Sequence, residues 1–310
     1  MQQTTNTVIM VRPVAFRMNE QTAVNNYFQE DIDLQNVEIN KKAQQEFDLF
    51  VTKLRAKAIN VLVLDDDIKL DTPDSIFPNN WISTHENGRV AIYPMFAENR
   101  RRERREEFLT ALENDGFLID SIVDYTDAEE EELFLEGTGS IVLDRANKKA
   151  YCALSPRADE ELFIEFCEDF DYFPVIFTAF QTVFDQRLPI YHTNVMMCVA
   201  DKFCIICLAS IDDKKERAAV TKHLKESGKE IIAITENQLA NFAGNMLQLQ
   251  DKSGKNHLIM SAAAHKSLDS TQIKSIEKYC DILSSDIETI ETCGGGSARC
   301  MMAEVFLPKK

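Results

Sequence analysis

Apolar residues recur along this chain in two alternating rhythms. One has the three- and four-residue spacing of an amphipathic helix, and the other is a short continuous run with strand character. Five helix–strand pairs follow one another. KKAQQEFDLFVTKLRAKA (41–58) leads into NVLVLD from Asn60, and RRRERREEFLTALEND (100–115) into FLIDSIVDY from Phe117. ADEELFIEFCEDF (158–170) leads into FPVIFTAF from Phe173, and DDKKERAAVTKHLKESG (212–228) into IIAIT from Ile231. STQIKSIEKYC (270–280) leads into DILSSDI from Asp281. The strand starts at 60, 117, 173, 231 and 281 are 57, 56, 58 and 50 residues apart. Each pair runs on through a turn-prone segment into one or two further apolar strands, such as VMMCVA (195–200) and FCIICLAS (203–210). A ββαβ unit of this size cannot bury its own apolar face, so successive copies must pack on one another. The pattern predicts an α/β fold: a five-bladed, pseudo-fivefold α/β propeller of repeated ββαβ units, filling residues 1–310 as a single domain. The units share no appreciable sequence identity, and an ordinary mixed α/β sheet is the competing architecture.

Composition narrows the partners. Hydrophobic residues make up 45% of the 310, with only 10 Gly and 8 Pro, a globular balance with ample material for a core. The formal net charge of −17 repels phosphate backbones and anionic membrane surfaces. The N-terminal MQQTTNT is polar and lacks a basic stretch, and no apolar run has the length of a membrane span. The eight cysteines, from Cys152 to Cys300, are scattered, as free thiols are. These features lead to the expectation of a cytoplasmic protein that binds neither nucleic acid nor membrane; homodimerisation is left open.

If the repeat is real, equivalent positions face one centre. Asn80 lies 20 residues past Asn60, Glu136 19 past Phe117, and His192 19 past Phe173. Asn245 lies 14 past Ile231 and Cys300 19 past Asp281. A cysteine, a histidine, a glutamate and two asparagines at one phase can perform nucleophilic acyl-type chemistry. Each also has an ordinary explanation. A cysteine before an apolar strand is usually a small buried hydrophobe. A lone histidine is usually a satisfied core residue. Glu136, Asn79 and Asn80 sit beside glycine or proline, where turn formers are common. The shared phase is what distinguishes them, together with Gly294–Gly296, which lets backbone approach a ligand closely just before Cys300.

Other motifs carry less. Cys204-Ile-Ile-Cys207 has CxxC spacing but lies in an apolar strand without a second pair, and reads as core. The arginine-rich run 100–105 reads as a mainly solvated helix face, and Glu129–Glu132 as surface. Gly294–Gly296 lacks the Lys-Ser/Thr of a phosphate loop. No metal or organic cofactor is expected.

Taken in order, PDSIFPNNW (73–81), LEGTGSIVLD (135–144), CALSPRAD (152–159), YHTNV (191–195) and GGGSARC (294–300) resemble segments of the guanidine-modifying enzymes. That superfamily includes arginine deiminase, agmatine deiminase, amidinotransferases and dimethylarginine dimethylaminohydrolase, and the resemblance covers essentially the whole chain. It implies Cys300 as nucleophile, His192 as general acid–base, and Glu136 as a group binding the planar nitrogens of the substrate. It implies further that Arg157 clamps an amino-acid carboxylate and Asp74 contacts the polar end, with Arg100 or Arg101 assisting.

Two departures bear on the substrate. Deiminases of the superfamily hold a guanidinium cation with aspartates where this chain resembles them through Asn80 (or its neighbour Asn79) and Asn194. A carboxamide is neutral and both donates and accepts, which suits an uncharged ureido group. In FPNNW, EGTGS and HTN the chain most resembles the citrulline-utilisation hydrolases. The activity implied is hydrolysis of L-citrulline to ornithine, ammonia and carbon dioxide, through attack by a Cys300 thiolate beside a His192 imidazolium. An arginine deiminase or dimethylarginine dimethylaminohydrolase is the alternative enzyme, and amidinotransfer is a third. A non-catalytic binding protein is the alternative of a different class, since ribosomal anti-association factors resemble this fold without its chemistry.

Overall fold

The computed structural model describes residues 2–310. Five three-stranded sheets are built to one plan. A first strand runs antiparallel to a second, the chain crosses through a helix, and the third strand returns parallel to the second. Ile82–Thr84, Arg89–Ile92 and Ser121–Asp124 make one sheet, and Ile141–Asp144, Lys149–Leu154 and Phe173–Thr178 the next. Met197–Val199, Phe203–Ile206 and Glu230–Ala233 follow, then Leu247–Gln250, Asn256–Ser261 and Asp281–Ser285. The remaining sheet joins both ends of the chain. Its middle strand Thr7–Arg12 is parallel to Asn60–Asp65 and antiparallel to Ala303–Glu304. A hairpin of Phe180–Val183 and Gln186–Pro189 is inserted before the Met197 strand. The chain is thus a mixed α/β protein, and no helix among the described residues is long and apolar enough to cross a membrane.

The crossover helices form where the apolar spacing places them, and Asp side chains fix several starts. Asp159 accepts from the Leu162 amide, Asp213 from Lys215 and Glu216, and Asp269 from Thr271 and Gln272. On the Asn36–Ala56 helix, Ile39, Ala43, Phe47, Phe50 and Leu54 form the buried stripe. On Glu160–Phe170 the stripe is Leu162, Phe163, Phe166, Cys167 and Phe170. Cys204 and Cys207 are buried free thiols in an apolar cluster around the Phe203–Ile206 strand, as the CxxC reading expected.

One helix differs from expectation. Instead of one helix over 100–115, the structure has a single turn at Glu98–Arg101 and a helix at Glu107–Asn114. Of the arginines of this run only Arg102 is exposed. Arg100 and Glu103 are buried against each other, Arg101 donates to the Met95 carbonyl, and Arg102 to that of Asp71. Arg104 pairs with Glu129, which also accepts from the Met95 amide. Helix propensity of the Arg/Glu run is overridden by these bonds to surrounding loops. Of the acidic run, Glu129 is therefore half-buried, and only Glu130 to Glu132 are exposed.

The connection from each sheet to the first strand of the next carries the polar residues. Tight helical turns at Pro78–Asn80, Gly137–Ser140 and Thr193–Met196 directly precede, or come within two residues of, a first strand. The Gly137–Ser140 turn packs on both of the others. The residues picked out by their phase are thereby brought to one end of the sheets.

Candidate active site

A small cavity is lined by Asp74, Asn80, Arg100, Arg157, His192 and Cys300, together with Asn26, Phe77, Tyr191, Gly294 and Gly296. The glycines are there for packing: a Cβ at Gly294 or Gly296 would lie 2.8 or 2.9 Å from the Phe77 ring. Gly295, at φ +61°, turns the chain toward Cys300.

Cys300 is buried. Its Sγ lies 3.2 Å from Asn245 Nδ2 and 3.6 Å from Asn194 Nδ2. Asn245 also donates to the Asn194 side-chain and backbone oxygens and accepts from the Arg299 amide. Asn194 is thus placed behind the thiol, donating to the Thr138 carbonyl, and does not line the cavity. The repeat phase of Asn245 thus corresponds to a place against the thiol.

His192 Nε2 is 2.7 Å from Glu136 Oε2, so the neutral ring donates there and leaves Nδ1 as an acceptor without a hydrogen bond among the described residues. The other Glu136 oxygen accepts from the Phe96 amide at 3.0 Å. Both oxygens accept hydrogen bonds within the protein, and Glu136 does not line the cavity. Its geometry is that of a group orienting the histidine. Burial alone would raise the Glu136 carboxyl, but Arg157, His192 and Arg100 bring it down to about 2. Gly139 is needed beside these groups: a Cβ there would collide with Asn80 Nδ2 and lie 2.7 Å from His192 Nδ1.

The asparagine pair resolves clearly. Asn80 lines the cavity, its Oδ1 accepting from Arg100 Nη1 at 2.9 Å while the buried Nδ2 has no partner. Asn79 turns away, donating to Thr138 Oγ1. Arg100, not Arg101, reaches the site. Glu103 holds its guanidinium in a bidentate pair at 2.9 and 3.0 Å, and the Phe77 carbonyl accepts at 3.2 Å. Asp74 accepts from Asn19 Nδ2 and Thr22 Oγ1 through Oδ2, and its buried Oδ1 is unpartnered.

Arg157 is not an empty clamp. It donates to Asn25 Oδ1 from Nε and Nη2, donates to the Thr22 carbonyl, and stands 3.5 Å from Glu136. The segment Asn19–Gln29, for which the sequence offered no signal, covers the cavity from this side. Asn26 and Gln29 tie it to the Gly294 carbonyl.

The resting protonation state also departs from expectation. Burial pulls the His192 imidazole down to about 4, against the pull of Glu136, with Arg157 and Arg100 adding to the depression. Burial pushes the Cys300 thiol up, opposed by Asn245. Burial thus favours the neutral thiol and the neutral imidazole over the thiolate–imidazolium pair in the unliganded site. Inactivation of the free protein by iodoacetamide is expected to be slow at pH 7 and to rise about tenfold per pH unit through pH 9, as thiolate forms. A plateau between pH 6 and 8, measured by mass mapping of Cys300 labelling, would contradict a neutral pair.

Among the described residues, no cluster of three or more His, Cys, Asp or Glu side chains is arranged to hold a metal ion. A buried cysteine, a histidine oriented by a glutamate and a small polar cavity on this α/β scaffold define a cysteine hydrolase of the guanidine-modifying superfamily. The chain belongs to the N,N-dimethylarginine dimethylhydrolase family, eukaryotic type, whose family model matches residues 12–307. No curated protein matches the sequence. Among solved structures it is similar to ArgZ, an arginine dihydrolase from the ornithine–ammonia cycle in cyanobacteria, with TM-score 0.75 and 14% identity over 98% of this chain. This chain spans only 41% of the length of that protein. The substrate-bound N-terminal domain of ArgZ matches with TM-score 0.71 and 15% identity, over 97% of this chain and 99% of the other. DDAH from Pseudomonas aeruginosa in complex with citrulline matches with TM-score 0.68 and 14% identity, over 97% and 99%. At these identities the likeness is one of fold.

Proposed function

We propose that this protein hydrolyses the ureido carbon of an arginine-related amino acid, L-citrulline being the best fit, with Cys300 as nucleophile. The observation carrying the substrate is the committed orientation of Asn80. Arg100 occupies its oxygen, so the group left for a ligand is the Nδ2 donor. A donor suits the ureido oxygen, an acceptor, and not a guanidinium nitrogen, which itself donates. Both Glu136 oxygens already accept hydrogen bonds, from the Phe96 amide and from His192.

At the far end, the free Asp74 Oδ1 would receive the α-ammonium, and Arg157 the carboxylate once Asn25 gives way. As Sγ attacks the ureido carbon, its proton passes to His192 Nδ1, and Glu136 stabilises the imidazolium. His192 then protonates the departing ornithine amine, leaving a carbamoyl thioester on Cys300. Water deprotonated by His192 hydrolyses this to carbamate, which decomposes to ammonia and carbon dioxide. Asn245 and Asn194, donating toward Sγ, would hold the developing thiolate.

The five like sheets, one of them sewn from both chain ends, also support reading residues 1–310 as a single closed five-bladed propeller. The family match favours a second reading, a deiminase or dimethylaminohydrolase of arginine or methylated arginine. Incubation with citrulline, arginine, agmatine and dimethylarginine, followed by mass identification of products, separates them. Ornithine from citrulline is expected, with agmatine poor because it lacks a carboxylate for Arg157. Citrulline accumulating from arginine or dimethylarginine, and itself untouched, would establish the second reading instead.

A further inference from the structure

Beside the catalytic cavity lies a larger open groove, which the proposed reaction does not use. Its walls come from Tyr27 and Phe28 of the covering segment and Glu30 just after it, the Phe180–Pro189 hairpin, the loop at Ala240–Phe242 and the helix Glu288–Gly294. Three of its lining residues are acidic, Glu30, Glu288 and Glu291, and none is lysine or arginine. A further polar feature is independent of that charge. Gln181, only 7% exposed, lines the groove with its Nε2 buried and unpartnered. A buried amide donor without an acceptor is costly unless a ligand completes it.

Glu291 is unusual in the same sense. It is buried, its partners are the hydroxyls of Ser297, at 2.5 Å, and Ser261, and its charged neighbours Glu46 and Asp286 are also acidic. Burial pushes its carboxyl up to about 7, against the pull of the Ser261 and Ser297 hydroxyls. Ser297 in turn accepts the Cys300 amide through its carbonyl at 3.0 Å, so the groove adjoins the loop that carries the thiol.

We propose that this groove is a second ligand site, for an amino acid bearing an additional terminal ammonium. Gln181 Nε2 donates to the ligand's carboxylate, and Glu288 and Glu291 receive the ammonium end. Ornithine has this chemistry; citrulline, whose side chain ends in a neutral group, does not. The assignment rests on the groove alone and holds whichever substrate the catalytic cavity takes.

The test is calorimetric titration of the whole protein after Cys300 has been alkylated with iodoacetamide, which fills the catalytic cavity and leaves the groove open. Ornithine is expected to bind at one site, and citrulline at least tenfold more weakly. Gln181→Leu and, on the exposed helix end, Glu288→Gln are each expected to weaken ornithine at least fivefold, with catalytic kcat unchanged. Absence of ornithine binding to the alkylated protein, equal binding of citrulline, or ornithine affinity unmoved by both substitutions would overturn the assignment. Failure of the catalytic proposal would appear instead in the product analysis of the unmodified enzyme.

Discussion

Replacing Cys300 with serine is expected to lower kcat by roughly 10⁴-fold or more, the scale on which removal of a covalent nucleophile acts. A serine hydroxyl is far harder to ionise than a thiol, and the neutral His192 is a weak base to draw its proton. The fold should survive. Cys300 sits in a polar pocket, where Asn245 Nδ2, 3.2 Å from Sγ, can bond an oxygen equally well, so a stability change of about 1 kcal/mol or less is expected. Steady-state kinetics with the best substrate, paired with a thermal melt, separates the two effects. The other seven cysteines are buried free thiols, and burial raises Cys198 to about 12 and Cys293 to about 11. Selective labelling of any of them with Cys300 untouched would remove Cys300 as nucleophile.

Asn80→Asp should change substrate preference more than any other substitution at the site. One aspartate oxygen keeps Arg100, while the other replaces the Nδ2 donor and faces the ureido oxygen with a negative charge. Loss of that buried bond costs roughly 1–3 kcal/mol, so kcat/KM for citrulline should fall about 5–150-fold. A guanidinium cation gains an opposite charge from the same change, and the citrulline-to-arginine ratio should move toward arginine. A general loss of stability lowers both activities without moving their ratio. Asn194→Asp is not an equivalent change. Its carboxylate would lie beside Sγ and disfavour the thiolate for every substrate. A ratio unmoved in Asn80→Asp, or arginine already preferred by the native protein, would exclude a ureido-selective site.

The centre of this site was legible in the sequence for a physical reason. Asn80, Glu136, His192, Asn245 and Cys300 each precede the first strand of a sheet, so apolar periodicity fixes their phase even without sequence identity among the repeats. What periodicity cannot show is which way a side chain turns. Asn79 and Asn80 are adjacent, and only the buried Arg100 settles which faces the cavity. The Asn19–Gln29 segment has neither helical nor strand rhythm, and its long-range bonds reach residues 52 to 269 positions away. The run at 100–105 misled because its composition favours a solvated helix, whereas Arg100 and Glu103 are drawn inside as a pair. The neutral state of Cys300 and His192 likewise follows from burial, which sequence spacing does not report.

The most direct measurement is the mass of the Cys300-containing peptide after rapid acid quench of protein turning over citrulline. A Cys300 nucleophile acting on a ureido carbon should leave that peptide heavier by one carbamoyl group, with the adduct absent in Cys300→Ser. An unmodified Cys300 peptide during active turnover, or an adduct that forms only from arginine, would contradict it.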